Sequence, residues 1–283
     1  MLFGAHCSTA GGFYKALERA EKIEADVCQI FVKNNMQWSG RLPAPEEARR
    51  FAGEWKRLKL AEVFGHTGYL INLGAPPSPN REKSVRSLIE EITYAGALGL
   101  PFLVLHPGAH LGAGEEAGLG QIAAGLDEVT SATKQSKVRI ALENTAGQGS
   151  CLGHKLEHLA AIYDRVKNPE RLALCIDTCH LFASGYDIRT PAGWDGAIAQ
   201  LDKLLGCKQI AAFHLNDSKP GLNSRVDRHD HIGKGQIGLE AFRYIVNDAR
   251  FKKTPGCLET HKSEDLHEDV ENLAALRSLA RKN

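Results

Sequence analysis

Short apolar runs alternate with longer segments in which apolar residues recur every three or four positions, and the alternation repeats eight times along the chain. The short runs cover residues 2–7, 27–33, 62–66, 102–106, 139–143, 172–177, 210–214 and 256–259. They have the length of strands and little polar alternation, as strands covered on both faces of a parallel sheet do. Between them a helical period runs over 12–25, where Ala16, Leu17, Ala20 and Ile23 share one face, and then over 45–59, 82–98, 121–136, 155–166, 193–205, 239–249 and 266–280. Strand followed by helix, eight times, predicts an α/β fold: a single closed (β/α)8 TIM barrel over residues 1–283, with its active site at the C-terminal ends of the strands. An open doubly wound sheet is the alternative, because periodicity does not prove closure. No Gly/Ser-rich linker or low-complexity tract divides the chain. The glycine-rich stretch 108–120 and Gly233-Lys234-Gly235 fit no phosphate-binding fingerprint and read as turns.

Composition adds bounds more than direction. Hydrophobic residues make up 43% and charged residues 24%, enough apolar surface for a core and typical of a globular domain. The formal net charge of +1 gives no whole-protein field that selects nucleic acid, so attraction to a polyanion must come from a local patch or from bound cations. Seven cysteines, odd in number and scattered through apolar runs, point to free thiols in a reducing compartment. Met1 leads directly into a strand-like run without a signal-peptide pattern, and no apolar stretch approaches about 18 residues, so the expected location is cytoplasmic, with no membrane span.

The chemistry gathers where the apolar runs stop. The third ends at His66, the fourth at His106, the fifth at Glu143, the sixth at Asp177 with His180 three positions on, the seventh at His214 and the eighth at Glu259. A loop after the seventh adds Asp227 and His229, which share one side of an extended segment; His231 is the rival to His229. Singly, each has an ordinary explanation: a hydrogen-bonded loop histidine, or an N-cap at Asp177-Thr178. Together they form a set of five imidazoles and four carboxylates at corresponding strand ends, more than one metal ion takes, so two or three ions are implied. Imidazole with carboxylate and no clustered thiolate suits zinc, with manganese or iron(II) as alternatives in part of the site. Four carboxylates against three divalent ions leave a net charge of roughly +2, which favours an anionic substrate such as a phosphate.

At these residues the chain closely resembles the endonuclease IV family of zinc-dependent AP endonucleases. The resemblance runs almost end to end, through GAHCSTAGG (4–12), HTGYLINLG (66–74), LHPGAH (105–110), ENTAGQGS (143–150), CIDTCHLFASGYD (175–187), HLNDSK (214–219), SRVDRHDHIGKGQIG (224–238) and LET (258–260). It implies three zinc ions: one on His66, His106 and Glu143, a second on Glu143, Asp177, His214 and Glu259, and a third on His180, Asp227 and His229. It also implies hydrolysis of the phosphodiester 5′ to an abasic site by a metal-bridging hydroxide, leaving a 3′-hydroxyl, with cleaning of blocked 3′ ends. Glu143, shared between ions, is the implied catalytic residue. The implied partner is double-stranded DNA carrying abasic sites or blocked 3′ ends, bound by a monomer.

For DNA contact the resemblance implies Gln37, Tyr69 and Leu70, in the loops after the second and third runs, entering the minor groove; simple core packing is the ordinary explanation for Tyr69 and Leu70. Met36 stands where many family members carry an arginine. Lys33, Lys219, Arg228 and Lys234 are candidate phosphate contacts on the same face, and His6 is a candidate support for the ligands. Cys179 reads as a buried thiol. The alternative activity is that of a metal-dependent sugar isomerase or epimerase of the related xylose-isomerase-like barrels. Such barrels use one or two metals, so the set His180, Asp227 and His229 separates the two readings.

Overall fold

A computed structural model describes residues 1–281. Its elements are β1 (Leu2–His6), α1 (Phe13–Lys22), β2 (Val27–Phe31), α2 (Pro45–Leu58), β3 (Glu62–His66), α3 (Pro79–Leu98), β4 (Phe102–Leu105), α4 (Glu115–Ala132), β5 (Arg139–Glu143), α5 (Leu156–Arg165), β6 (Leu172–Asp177), α6 (Thr178–Ser184), α7 (Pro191–Leu204), β7 (Ile210–His214), β8 (Asp217–Ser218), β9 (His229–Asp230), α8 (Leu239–Val246), β10 (Pro255–Leu258) and α9 (His267–Leu279). Eight parallel strands close in the order β1-β10-β7-β6-β5-β4-β3-β2, with Leu2 opposite Pro255 at the closing seam. The expected barrel is therefore present, and the open sheet is excluded.

The barrel interior is packed by Val27, Phe64, Phe102, Val104, Ala141, Ala173, Cys175, Ala212 and Cys257, with Phe64 and Phe102 stacked at 4.7 Å. A second and larger apolar layer lies between the strands and the surrounding helices, where Leu17, Ile30, Leu88, Ile122, Leu159 and Leu273 are buried. Inward-facing alanines leave room for two phenylalanines in a space that holds only side chains. Gly4 shows how tight the wall is: a Cβ there would lie 1.8 Å from the Val27 carbonyl oxygen.

Three local features differ from the pattern read in the sequence. Helix α4 begins at Glu115, six residues before the expected start, because Gly114 turns the chain with φ 94° and Glu115 and Glu116 sit favourably in the first turn. Gly118 lies inside this helix, not in a turn; a Cβ there would meet His110 and Leu152 at 2.7 and 2.6 Å. Helix α6 is additional and follows β6 directly, its N-terminus capped by Asp177, which accepts from the His180 amide at 2.8 Å. The ribbon β8–β9 is also additional and joins the segments after β7, with Asp217 opposite Asp230.

Candidate metal centre

Closure of the barrel brings the C-terminal ends of β3, β4, β5, β6, β7 and β10 together, and the nine expected ligands gather there, each within 4 Å of another. Glu143, fully buried at the end of β5, stands in the middle. Its Oε2 lies 3.0 Å from His106 Nε2 and 3.4 Å from His66 Nε2, while its Oε1 lies 2.9 Å from His214 Nδ1. Donor atoms meet within bonding range of a common ion in the groups His66–His106–Glu143, Glu143–Asp177–His214–Glu259 and His180–Asp227–His229. These are the three sets implied by the family resemblance; the overlapping group Asp177–Cys179–His229 meets at the same range. His231 is turned away, with its Nδ1 2.9 Å from Asn272 Nδ2.

Backbone carbonyls set the ring tautomers. His66 Nδ1 donates to the Thr67 oxygen (2.7 Å), His180 Nδ1 to the Asn144 oxygen (2.9 Å) and His229 Nδ1 to the Glu259 oxygen (3.3 Å). A carbonyl can only accept, so Nδ1 carries a proton in each ring, and in the neutral ring Nε2 presents a lone pair to the pocket. The Nε2 atoms of His180 and His229 face each other at 3.4 Å, and Asp227 lies 3.2 Å from the first and 3.4 Å from the second. With both rings neutral, two lone pairs at that distance beside a carboxylate need a cation among them, a proton or a metal ion, and the donor set fits a divalent metal.

The charges agree. Burial would raise the carboxyl of Glu143, yet the surrounding imidazoles, His214 and His106 foremost, hold it well below the usual range. Burial likewise opposes ionisation of Asp227, which His180 and His229 overcome. Conversely, burial would lower His180, but Asp177 and Asp227 push it well above the ordinary imidazole value. The carboxylates demand positive charge from their neighbours, and divalent ions supply it without protonating the ligands.

Supporting groups missed by sequence reasoning surround the ligands. Asn144 accepts from the Asp177 amide (2.8 Å) and donates to its carbonyl (3.1 Å). Asn216 donates to Asp177 Oδ2 (2.7 Å) and accepts from the Glu259 amide (2.8 Å). Both lie one or two residues beyond a ligand, and that adjacency was the available clue. Asp217 accepts from the amides of Ser218, Gly233, Gly235, Ile237 and Gly238 at 2.8–3.2 Å, folding the segment after His229 back beneath the pocket. Gly235 fits there because a Cβ would lie 2.4 Å from the Ser218 oxygen.

Tyr69 is 61% exposed, so it is not core; its ring packs edge-on against Phe31 at 5.4 Å and His66 at 6.1 Å. Gln37 is exposed and Leu70 half-buried, while Met36 is 63% exposed beside them. Tyr69, with His6, Phe31, Asn35, Glu259 and Lys262, borders a cavity of about 580 Å³ next to the ligands. His6 Nδ1 stands 3.6 Å from Glu259 Oε1 and 2.8 Å from Gln29 Nε2. Lys219, Arg228 and Lys234 are exposed. Lys33 is not the expected phosphate contact: its side chain is 3% exposed and is paired with Glu91. Cys179 donates to the Arg228 oxygen (3.7 Å), and burial pushes its thiol up to about 12, as a buried thiol requires.

A second His/Glu cluster, Glu115–His154–His158, lies apart from the pocket. Lys155 Nζ takes both Glu115 oxygens (2.7 and 3.0 Å), and the Gly153 amide donates to His158 Nδ1 (3.2 Å), which places that ring's proton on the nitrogen facing Glu115. It is an ordinary hydrogen-bond network. All seven cysteines are free, and among the described residues no helix is long and apolar enough to cross a membrane.

A closed parallel barrel that gathers imidazoles and carboxylates at its C-terminal rim has the architecture of a divalent-metal enzyme. Residues 17–280 match the family described as the xylose isomerase-like TIM barrel. The probable endonuclease 4 of Chloroflexus aurantiacus is 49% identical over 98% of this chain and 97% of its own length. The endonuclease IV of Thermus thermophilus superposes with a TM-score of 0.87 at 32% identity, over 99% of this chain and 98% of that one. A D-tagatose 3-epimerase-like protein, at 18% identity over 99% and 98% of the two chains and a TM-score of 0.72, shares the fold. The chain belongs to the endonuclease IV family of the xylose isomerase-like TIM barrels.

Proposed function

We propose that this chain is a DNA-repair endonuclease that hydrolyses the phosphodiester 5′ to an abasic site in duplex DNA, leaving a 3′-hydroxyl, and that also clears blocked 3′ ends. It works as a single catalytic domain over residues 1–283, a cytoplasmic monomer loaded with three divalent ions, zinc foremost, with manganese or iron(II) as substitutes in part of the site. The observation that carries this reading is the opposed Nε2 pair of His180 and His229 beside Asp227, a third ligand set added to those of His66–His106–Glu143 and Glu143–Asp177–His214–Glu259. Full-length similarity to proteins named endonuclease 4 supports it. When bound, such ions activate water and stabilise charge on the phosphate and the departing oxygen.

The chain's own residues do the rest. Glu143 presents one carboxylate oxygen to His66 and His106 and the other to His214, so that a single side chain spans two ligand groups and sets their separation. Asp177, Asp227 and Glu259 complete the groups while the carbonyls of Thr67, Asn144 and Glu259 hold the rings in place. Tyr69, with Gln37 and Leu70 nearby, offers a wedge for the gap left where an abasic nucleotide leaves the stack.

The test is a duplex carrying one tetrahydrofuran abasic analogue, incubated with the protein before and after prolonged chelation. A single incision 5′ to the analogue, lost on chelation and restored by zinc, is expected. No incision by the zinc-loaded protein, or interconversion of ketosugars in its place, would overturn the assignment.

A further inference from the structure

Gln29 is the third residue of β2, fully buried, and its amide touches three groups at the rim of the pocket. A carboxylate only accepts, so the amide nitrogen is the end that faces Glu259 Oε1. The same nitrogen donates to His6 Nδ1 at 2.8 Å. This leaves Gln29 Oε1 facing His214 Nε2 at 2.8 Å, and because that oxygen accepts, the proton of the neutral His214 ring is on Nε2. The ring lone pair is then on Nδ1, which points at Glu143 Oε1 (2.9 Å) and Glu259 Oε2 (3.2 Å). His66, His180 and His229 are oriented the opposite way, through Nδ1–H to a backbone carbonyl. His214 has no such carbonyl contact and relies on a side chain.

We propose that Gln29 is a positioning residue: it fixes His214 as an Nδ1 ligand and anchors the second ligand, Glu259, so that both face the same divalent ion. This rests on the metal reading given above. A single amide saturates one donor of His214 and one acceptor of Glu259, two of the four members of the Glu143–Asp177–His214–Glu259 group. The other two groups contain neither the His214 nor the Glu259 side chain and meet this one only through the shared Glu143 and the Glu259 carbonyl, so their ions are expected to be affected less. Loss of such an outer hydrogen bond to a metal-ligating histidine or carboxylate weakens binding by about 10- to 100-fold.

The experiment compares zinc-loaded wild type with Gln29→Leu, which keeps bulk and removes both hydrogen-bonding ends, and Gln29→Glu, which still accepts from His214 but sets a carboxylate against Glu259. Bound zinc is measured by elemental analysis across a chelator series. In Gln29→Leu one ion is expected to leave at about 10- to 100-fold lower chelator than in wild type while the other two stay; in Gln29→Glu the same ion weakens. Nitrogen-15 NMR of the zinc-loaded wild type, which needs no variant to fold, is expected to show His214 protonated at Nε2. A His214 ring protonated at Nδ1, or a folded Gln29→Leu that holds all its zinc like wild type, would overturn the proposal. Wild type with no bound zinc at any chelator level would instead overturn the metal reading on which it rests.

Discussion

Lys33 Nζ lies 3.1 Å from Glu91 Oε1, an ion pair between the end of β2 and helix α3 with side chains 3% and 0% exposed. The same ammonium donates to the Gln37 carbonyl, and the same carboxylate accepts from the Gly68 amide at 3.0 Å. The pair therefore ties the loop after β2 to the loop after β3, and Tyr69 completes the join by donating its amide to the Asn35 oxygen at 3.0 Å. Removing one partner strands a buried charge. Lys33→Met or Glu91→Gln is expected to lower stability by about 3–5 kcal/mol in chemical denaturation, and the double variant Lys33→Met/Glu91→Leu by less than either alone. Additive losses would show that the two side chains are not coupled.

Asp217 is expected to control the segment that follows His229. Asp217→Ala frees the amides of Gly233, Gly235, Ile237 and Gly238 from a charged acceptor. Each such bond contributes about 1.5–3 kcal/mol, so these amides should exchange with solvent about tenfold faster or more, while core amides of β5 and β6 keep wild-type rates. Unchanged exchange at the four glycine and isoleucine positions would remove the support assigned to Asp217.

Tyr69 is expected to act on the duplex and not on the phosphate chemistry. Aromatic stacking on a base is worth about 1–3 kcal/mol, so Tyr69→Ala should lower kcat/KM on abasic duplex by roughly tenfold or more and leave hydrolysis of a small phosphodiester near wild type. Equal loss on both substrates would place Tyr69 with the metal ligands it packs beside.

The acid limb of stability should depend on Glu115. Its hydrogen bond with Lys155, with His158 adding, holds the carboxyl down to about 2 against an ordinary value of 4.5. A carboxyl depressed in the fold stabilises it above its unfolded value and gives that stability up as pH falls toward the folded one. Between about pH 4.5 and 2, wild type should thus lose more stability than Glu115→Gln, read from denaturation midpoints. Parallel curves would mean that the partly exposed cluster contributes nothing.

Much of this molecule was legible in the chain because the strands end on the candidate ligands. The runs at 62–66, 139–143, 172–177 and 210–214 became β3, β5, β6 and β7, and their last residues are His66, Glu143, Asp177 and His214. What stayed hidden depends on contacts between distant segments. Gln29 looks like one polar residue in an apolar strand, and its partners His214 and Glu259 are 185 and 230 positions away. Lys33 looks like a loop cation until α3 places Glu91 against it. The start of α4 was hidden by Gly118, which reads as a turn residue but whose small size serves close packing against His110 and Leu152. Asp177 shows that the ordinary and functional explanations coexist: it caps α6 and also stands among the pocket ligands.

The most direct measurement is anomalous diffraction at the zinc edge from crystals of the zinc-loaded protein. Three peaks are expected within the rim pocket: one between Glu143 and the pair His66–His106, one between Glu143 and the group Asp177–His214–Glu259, and one between His180 and His229 beside Asp227. A pocket without anomalous density, or peaks confined to outlying groups such as Glu115–His154–His158, would contradict the proposed trinuclear centre.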